Sequence, residues 1–318
     1  MYHLSHGVSI RARENTAYKI ATYFSGLLVL LAGMFSGGGA SIASAQTITG
    51  DYSVIGGRYK LDRPSAMAVS PNGEKIAISD LATNRIIIID LEGRLLWTVG
   101  EQIRLEQPAA VCFESDTRLL FTQANHPIVY GVDEYNAAVI DTVKNLSGAF
   151  DNLTIDQIIR EPAGTYLILD QSAARLYRFD SEWEGPEIVV RDGSGKGLLL
   201  APSYIATTTS GELVIADSKN FPVQVFASDG KFLYQCGWNQ PSQQRGWEAV
   251  CAAVDSRGFI WAADKTNSQY RIFDQTGTEL SKVPFDNSAV SPIAMVGTID
   301  NRMAVLEETG RLIFYTLQ

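Results

Sequence analysis

Short apolar segments separated by polar turns follow one another from about residue 47 to residue 318. Residues 64–100 show the pattern clearly: one apolar segment leads to a turn with Gly73, a second ends in Asp80, and residues 86–89 are four consecutive isoleucines. Such β-branched runs are typical of strands that are buried on both faces of a sheet. No segment after residue 46 keeps a 3.6-residue apolar period, so the pattern predicts an all-β protein with almost no helix.

The unit in residues 64–100 is repeated along the chain. Residues 202–237 and 248–280 contain the same order of strand, glycine turn, strand ending in Asp, polar loop, third strand and glycine hairpin. Weaker copies occupy residues 108–148, 155–195 and 292–318. The residue that ends the second strand of each copy, here called the marker residue, is Asp80, Gln123, Asp170, Asp217, Asp264 or Glu307. Marker residues recur every 43 to 47 residues, which is the spacing of propeller blades.

The last copy predicts how the repeats close into a ring. It contains three apolar segments, near residues 293–299, 302–307 and 311–317, where the other copies have four. Residues 47–56 are strand-like and precede the first copy, so we expect them to supply the missing outer strand. Full closure leaves no exposed sheet at either end of the repeat array. The sequence therefore predicts a six-bladed β-propeller whose ring is closed by an N-terminal strand that completes the last blade.

The repeat resembles the NHL-repeat family of propellers. The first copy matches that family best, with Asp80, Asn84, Arg85, Ile86 and Gly93 in its pattern of Asp, Asn, Arg-Ile and hairpin Gly. The fifth copy matches through Asp264, Asn267, Arg271, Ile272 and Gly277, and the fourth keeps Asp217, Asn220 and Gly230 but has Gln224 in place of Arg. The resemblance implies the propeller fold and indicates little about function. Six-bladed gluconolactonase-like hydrolases fit the same repeat pattern.

The N-terminal residues have the features of a secretory signal peptide. Arg11, Arg13 and Lys19 precede an apolar core at residues 23–35, and the sequence Ala43-Ser44-Ala45 follows. An uncleaved membrane anchor is the alternative, although the apolar run is shorter than the roughly 20 residues of a spanning helix. We predict a signal peptide in residues 1–45, a propeller domain in residues 46–318, and a periplasmic or secreted location.

Charge limits the classes of partner. The chain has a net charge of −9 at pH 7. An acidic surface disfavours nucleic acid and anionic membranes as partners. No later segment is long enough to span a bilayer, and we expect a monomer.

Cysteine and histidine counts limit the chemistry. The cysteines Cys112, Cys236 and Cys251 are odd in number and fit no zinc spacing, so we predict buried, unreactive thiols. His126 is the one histidine after residue 45. A histidine-rich zinc site, such as the one in propellers of the peptide-amidating lyase class, is therefore excluded for the mature chain. A Ser-His-Asp triad would have to use His126, which we instead interpret as a turn residue before Pro127.

The acidic marker residues have two interpretations. They fall on one face of the predicted ring, where carboxylates from several blades would suit a hard cation such as Ca²⁺. Alternatively, each carboxylate accepts hydrogen bonds from backbone N–H groups of its own loop, which explains why most repeats need it. The binding candidates on this face are Asp80, Asn84, Arg85, Asp170, Asp217, Asp264, Asn267 and Glu307.

The loop between the fourth and fifth copies is the other candidate surface. It contains Trp238, Arg245 and Trp247, residue types that dominate binding hot spots and suit stacking on carbohydrate. The alternative is that the tryptophans fix the loop to the blades. From these features the sequence favours a propeller that binds a protein or glycan partner and needs no cofactor. The rival function is a metal-dependent hydrolase or lyase, lactonase-like, using carboxylates at the channel mouth, with Ca²⁺ as the candidate metal.

Overall fold

A computed structural model gives the architecture of the protein. It describes the backbone of residues 50–52 and the full structure of residues 60–237 and 246–316. These residues form six four-stranded antiparallel sheets arranged in a ring, together with one 3₁₀ turn at Glu134–Asn136. The predicted six-bladed β-propeller is confirmed. The predicted signal peptide in residues 1–45 lies outside the described residues, and so do most of residues 47–56.

Each of the first three blades uses four consecutive strands. Blade 1 contains β2 (Pro64–Val69), β3 (Lys75–Asp80), β4 (Arg85–Asp90) and β5 (Leu95–Val99). Blade 2 contains β6 (Pro108–Ser115), β7 (Arg118–Gln123), β8 (His126–Asp133) and β9 (Ile140–Asn145). Blade 3 contains β10 (Gln157–Arg160), β11 (Tyr166–Asp170), β12 (Arg175–Phe179) and β13 (Glu187–Val190).

The next two blades follow the same plan, and the last differs. Blade 4 contains β14 (Pro202–Thr207), β15 (Leu213–Asp217), β16 (Val223–Phe226) and β17 (Phe232–Gln235). Blade 5 contains β18 (Ala249–Val254), β19 (Ile260–Asp264), β20 (Gln269–Phe273) and β21 (Glu279–Pro284). Blade 6 contains β22 (Pro292–Gly297), β23 (Arg302–Glu307), β24 (Leu312–Thr316) and β1 (Gly50–Tyr52).

Ring closure is the one predicted from the sequence. β1 pairs antiparallel with β24, with Gly50 opposite Phe314 and Tyr52 opposite Leu312. The outer strand of the last blade therefore comes from the beginning of the repeat region. The hairpin glycines of the repeat also behave as predicted, because Gly93, Gly230 and Gly277 all have positive φ, where L-residues are strained.

The core lies between the blades. Side chains alternate along each strand, so Ile87 and Ile89 pack toward blade 6 while Ile86 and Ile88 pack toward blade 2. All four are fully buried. This explains the continuous isoleucine run, since both faces of every sheet are covered by a neighbouring blade.

The first strand of each blade lies innermost, against the first strands of the adjacent blades. Five of these inner strands begin with a register shift next to the marker residue, for example between Pro64 and Ala66 and between Pro202 and Tyr204. The extra residue at such a bulge has no partner on the second strand, and its side chain points in a different direction from those of the paired residues. Bulges therefore set which side chains stand at the inner rim of the ring.

Candidate functional site

The marker residues end the second strands on one face of the ring, here called the marker face. Asp80 is fully buried and accepts backbone hydrogen bonds from Asp62 and Arg63 at 2.9 and 3.0 Å, and from Ala82 at 3.2 Å. Its donors come both from the loop after it and from the linker that precedes the inner strand. A carboxylate in this position fixes two loops at once, because backbone N–H groups there have no ladder partner.

Asp217 repeats this arrangement in blade 4. Its Oδ1 and Oδ2 accept from the N–H groups of Ala201 and Leu200 at 3.0 and 2.7 Å, and Oδ1 also accepts from Lys219 and Asn220, both at 3.1 Å. All of these donors are backbone groups. The carboxylate is thus surrounded by N–H donors rather than directed toward the channel.

Asp264 and Glu307 are held by side chains as well. Asp264 Oδ2 accepts from Arg271 Nε at 2.8 Å and from Asn267 Nδ2 at 2.8 Å. The Glu307 carboxylate, which is 2 % exposed, lies 3.8 Å from the Arg311 guanidinium. These contacts lie within single blades.

Asn84 and Arg85 join blade 1 to its neighbouring linkers. Asn84 has φ of 53° and its Oδ1 accepts from the Gln107 N–H at 2.8 Å. Arg85 Nη2 donates to the Lys60 carbonyl at 2.8 Å. The Asn84 and Arg85 side chains, which belong to the family pattern, therefore hold backbone segments together.

Trp247 is the described member of the aromatic loop. It is 8 % exposed, its ring stacks on Phe273 with centroids 5.9 Å apart, and the Arg271 guanidinium lies 4.6 Å from its centroid. The ring is therefore packed onto blade 5. Trp238 and Arg245 lie outside the described residues.

The backbone edges of the inner strands are bonded by side chains of the preceding blade. Ser65 Oγ lies 3.2 Å from the carbonyl of Ala109, and Ser203 Oγ lies 3.3 Å from the carbonyl of Ala249. Gln157 makes the fullest contact: its amide accepts from the Ile205 N–H and donates to the Ile205 carbonyl, both at 2.8 Å. The Gln157 amide thus bonds both backbone groups of Ile205, as a neighbouring strand would, and joins blade 3 to blade 4.

Six residues form a ring at the start of the inner strands, here called the mouth ring. They are Ser65, Ala109, Asp156, Ser203, Val250 and Ile293. Asp156, which comes directly before β10, is the only ionisable member and is exposed, whereas the other five are half-buried. Its Oδ2 accepts from the Gln171 N–H at 2.9 Å and lies 3.0 Å from the Thr154 hydroxyl. Asp156 therefore supplies the one carboxylate among the six mouth-ring residues.

Asp156 is coupled to the marker residue of its own blade. The Thr154 hydroxyl lies 2.6 Å from Asp170 Oδ1 and 3.0 Å from Asp156 Oδ2, so its one proton serves one carboxylate at a time. Desolvation raises the pKa of Asp156, and the nearby charge of Asp170 adds to this rise against the hydrogen bonds from Gln171 and Thr154. Burial also acts to raise the pKa of Asp170, but hydrogen bonds from Thr154, Ala173 and Ser172 outweigh it and lower that pKa. The pKa values of these two neighbouring carboxyl groups are thus shifted in opposite directions, as in many acid–base pairs.

Asp156 was not among the residues predicted from the sequence. The signal was present, because the residue stands where the other copies have Ser65, Ser203 and Ile293 after Pro or its equivalent. An alignment of the inner-strand starts would have shown one acid among small and apolar residues. The marker residues drew attention because they recur, whereas Asp156 departs from the repeat.

The remaining sequence candidates are placed as follows. Cys112, Cys236 and Cys251 are free and buried, as predicted, and desolvation raises the pKa of Cys112 to about 12. His126 is exposed at the start of β8. Among the described residues, no helix is long and apolar enough to cross a bilayer.

The described residues also do not supply a metal centre. Within residues 60–237 and 246–316, no group of three or more His, Cys, Asp or Glu side chains is arranged to hold a metal ion. Calcium needs six to eight oxygen ligands. The carboxylates of Asp80 and Asp217 are directed to backbone N–H groups instead. The carboxylates among the described residues of this face therefore do not form a protein-held cation site.

Comparison with known proteins was made by sequence and by structure. No protein-family model matches the chain, and no curated protein matches its sequence, so the NHL resemblance stays a prediction. The fold is similar to that of a gluconolactonase from Xanthomonas campestris, with a TM-score of 0.63, 12 % identity, and coverage of 88 % of this chain and 94 % of that one.

Two further solved structures are similar. Virginiamycin B lyase from Staphylococcus aureus has a TM-score of 0.56 and 13 % identity, and the match covers 86 % of this chain and all of that one. Regucalcin from Agrobacterium tumefaciens, described as a calcium-binding protein, has a TM-score of 0.60 and 13 % identity over 81 % of this chain and 90 % of that one. At these identities the similarity shows the six-bladed propeller fold that this chain shares with a lactonase, a lyase and a calcium-binding protein.

Proposed function

We propose that the protein is a hydrolase or lyase that acts on a small molecule bound at the mouth ring, with Asp156 as its acid–base residue. The observation that carries the proposal is the exposed Asp156 carboxylate, the one ionisable side chain in that ring. The lactonase and lyase among the structural neighbours favour this function over the binding or scaffold role that the sequence favoured. The protein or glycan binder remains the competing prediction.

The chemistry of the site suits proton transfer. A carboxyl group whose pKa is raised holds a proton closer to neutral pH than an ordinary aspartate, and can donate or accept it during bond cleavage. The Thr154 hydroxyl and the Gln171 N–H both bind Oδ2 of Asp156 and so fix the carboxylate. Asp170, whose pKa is lowered, stays charged beside it. No step of this proposal passes through a metal ion.

The experiment measures turnover of a panel of aliphatic and aromatic lactones, and of virginiamycin B, by the purified protein, with and without chelator. We expect turnover that survives chelator, and a loss of about 100-fold or more in kcat for Asp156→Asn, the scale of general acid–base catalysis. Asp151→Asn is the matched control, since it removes an exposed aspartate from the same linker and should leave kcat unchanged.

Three results would overturn the proposal: no turnover of any compound in the panel, equal kcat in Asp156→Asn and wild type, or loss of activity in chelator. The first of these, together with capture of a glycan or protein ligand on the marker face, would establish the binding role instead.

A further inference from the structure

Tyr204 connects two blades that are not neighbours. It lies on β14 of blade 4, and its hydroxyl donates to the carbonyl of Met295 on β22 of blade 6 at 3.1 Å. β18 of blade 5 stands between these two strands and packs against both. Because the sheet of blade 5 extends outward from β18, a side chain that joins β14 to β22 passes on the inner side of β18. The Tyr204 side chain therefore crosses the central channel.

Buried side chains from blades 1, 5 and 6 surround Tyr204. Tyr204 is only 7 % exposed, although it lies in the middle of the ring. Met67, Cys251 and Met295 belong to the same buried cluster, and all three are at most 4 % exposed. An aromatic ring in an open, water-filled channel would keep much of its surface exposed. The low exposure of Tyr204 thus shows that neighbouring side chains cover most of its surface at this level.

The inner strand of blade 5 is built to receive the ring. Its consecutive residues Cys251, Ala252 and Ala253 have small side chains and are at most 2 % exposed. The thiol of Cys251 is close enough to contribute to the raised pKa of Tyr204, whose main cause is burial. Small residues here leave the space that a tyrosine side chain needs to pass toward blade 6.

The mouth ring lies directly above this closure. Ser203, the mouth-ring residue of blade 4, immediately precedes Tyr204, and one residue of a strand rises by about 3.3 Å. We infer that Tyr204 is the floor of the ligand site: it seals the channel beneath the mouth ring and sets how deep a ligand can enter from the marker face. The seal stands on the geometry alone, whereas its consequence for substrate depth rests on the proposed function. A ligand at this site lies across the mouth and does not thread the channel.

Cys251 reports on the seal without any need for catalysis. The probe is methyl methanethiosulfonate, a small neutral reagent that transfers a methylthio group to an accessible thiolate and releases methanesulfinate. Labelling of each cysteine in the native protein is followed by peptide mass spectrometry. Cys112 is the internal control, because it is also buried, at 5 % exposure against 0 % for Cys251, but lies in the cluster between blades 2 and 3.

In Tyr204→Ala we expect the rate of Cys251 labelling to rise at least tenfold relative to that of Cys112. In Tyr204→Phe, which keeps the ring, we expect the ratio of the two rates to stay at the wild-type value. Global destabilisation would raise both rates together and leave the ratio unchanged, so the ratio isolates the local opening. Tyr204→Leu replaces the alanine variant if that variant does not fold, with a smaller rise in the same ratio.

An unchanged ratio in the folded Ala or Leu variant would overturn the inference, because the seal would then not depend on Tyr204. A raised ratio also in Tyr204→Phe would assign the seal to the hydroxyl bond rather than the ring and would equally overturn the floor as described. A raised ratio with no turnover of lactones would keep the floor and reject the proposed hydrolase or lyase.

Discussion

The marker residues and the mouth ring lie next to each other on one face of the propeller, but their carboxylates differ in burial and in hydrogen bonding. Asp217, in the first set, is fully buried and accepts four backbone N–H groups from two loops. Asp156, in the second, is exposed and accepts one backbone N–H and one hydroxyl. The comparison teaches that the recurring acid holds the loops of the repeat together, while the acid that departs from the repeat keeps an exposed side chain.

The largest expected difference is in stability. Asp217→Ala leaves buried N–H groups of two loops without their acceptor, so the free energy of unfolding should fall by about 3 kcal/mol or more. Asp156→Ala removes an exposed side chain and should change it by less than about 1 kcal/mol. Urea unfolding of both variants measures the difference in their free energies of unfolding, provided that the dependence of that free energy on urea concentration is the same in both. Equal losses in the two variants would remove the distinction between the two sets.

A second variant tests the link between the sets. Thr154→Val removes the hydroxyl that lies near both Asp156 and Asp170, and we expect a loss of about 1.5 kcal/mol in the free energy of unfolding, as for hydrogen bonds to charged groups. It also removes a donor that favours the ionised form of Asp156, so the acid limb of the pH–activity profile should move to higher pH. Thr154→Ser keeps the hydroxyl and should show neither change. Thr154→Val with a wild-type profile would show that the two carboxylates are not coupled through this hydroxyl.

The smallest expected effect is in the pH dependence of stability. Asp170 has a lowered pKa in the folded protein, so its charged carboxylate stabilises the fold at pH values above its unfolded pKa of about 3.9. This stabilisation is lost as the pH falls through the folded pKa. Asp156 has a raised pKa, so stability falls as pH rises from its unfolded value through its folded value. Asp156→Asn should therefore raise stability at pH 7 by no more than about 0.5 kcal/mol, since the group is exposed.

That gain should vanish at pH 3, where the wild-type carboxyl is protonated in both states. Asp170→Asn should instead lose stability at pH 7 and converge with wild type at low pH. Unfolding curves of the three proteins between pH 3 and pH 8 measure both trends. Opposite signs for the two variants at pH 7 support the comparison, and the same sign for both contradicts it.

The fold could be predicted from the sequence because its determinants are repeated. Six marker positions, the isoleucine run at residues 86–89 and the missing strand of the last copy each reflect a requirement that every blade shares. The pairing of Gly50 with Phe314 followed from that missing strand. Blades 2 and 3 come from two of the weaker copies of the repeat, and each still forms four strands.

The site was predicted less well because it depends on single residues and on contacts between blades. The donors to Asp80 and Asp217 were expected from the loop that follows each residue, but half of them come from the linker before the inner strand. The contact of Tyr204 in blade 4 with Met295 in blade 6 passes blade 5, and no local pattern encodes it. Sequence periodicity identifies the residues that the repeats share, whereas the contacts in the channel depend on residues that differ from one repeat to the next.

The pairing of β1 with β24 has a consequence for how the chain folds. Gly50 and Phe314 lie near opposite ends of the propeller sequence, so this pairing has high contact order and its loop-closure entropy must be overcome before the pairing stabilises anything. Until that happens, β24 presents an open sheet edge that can pair with another chain. A chain whose first strand has not yet joined the sixth blade therefore exposes the edge of the apolar strand Leu312–Thr316 to such pairing.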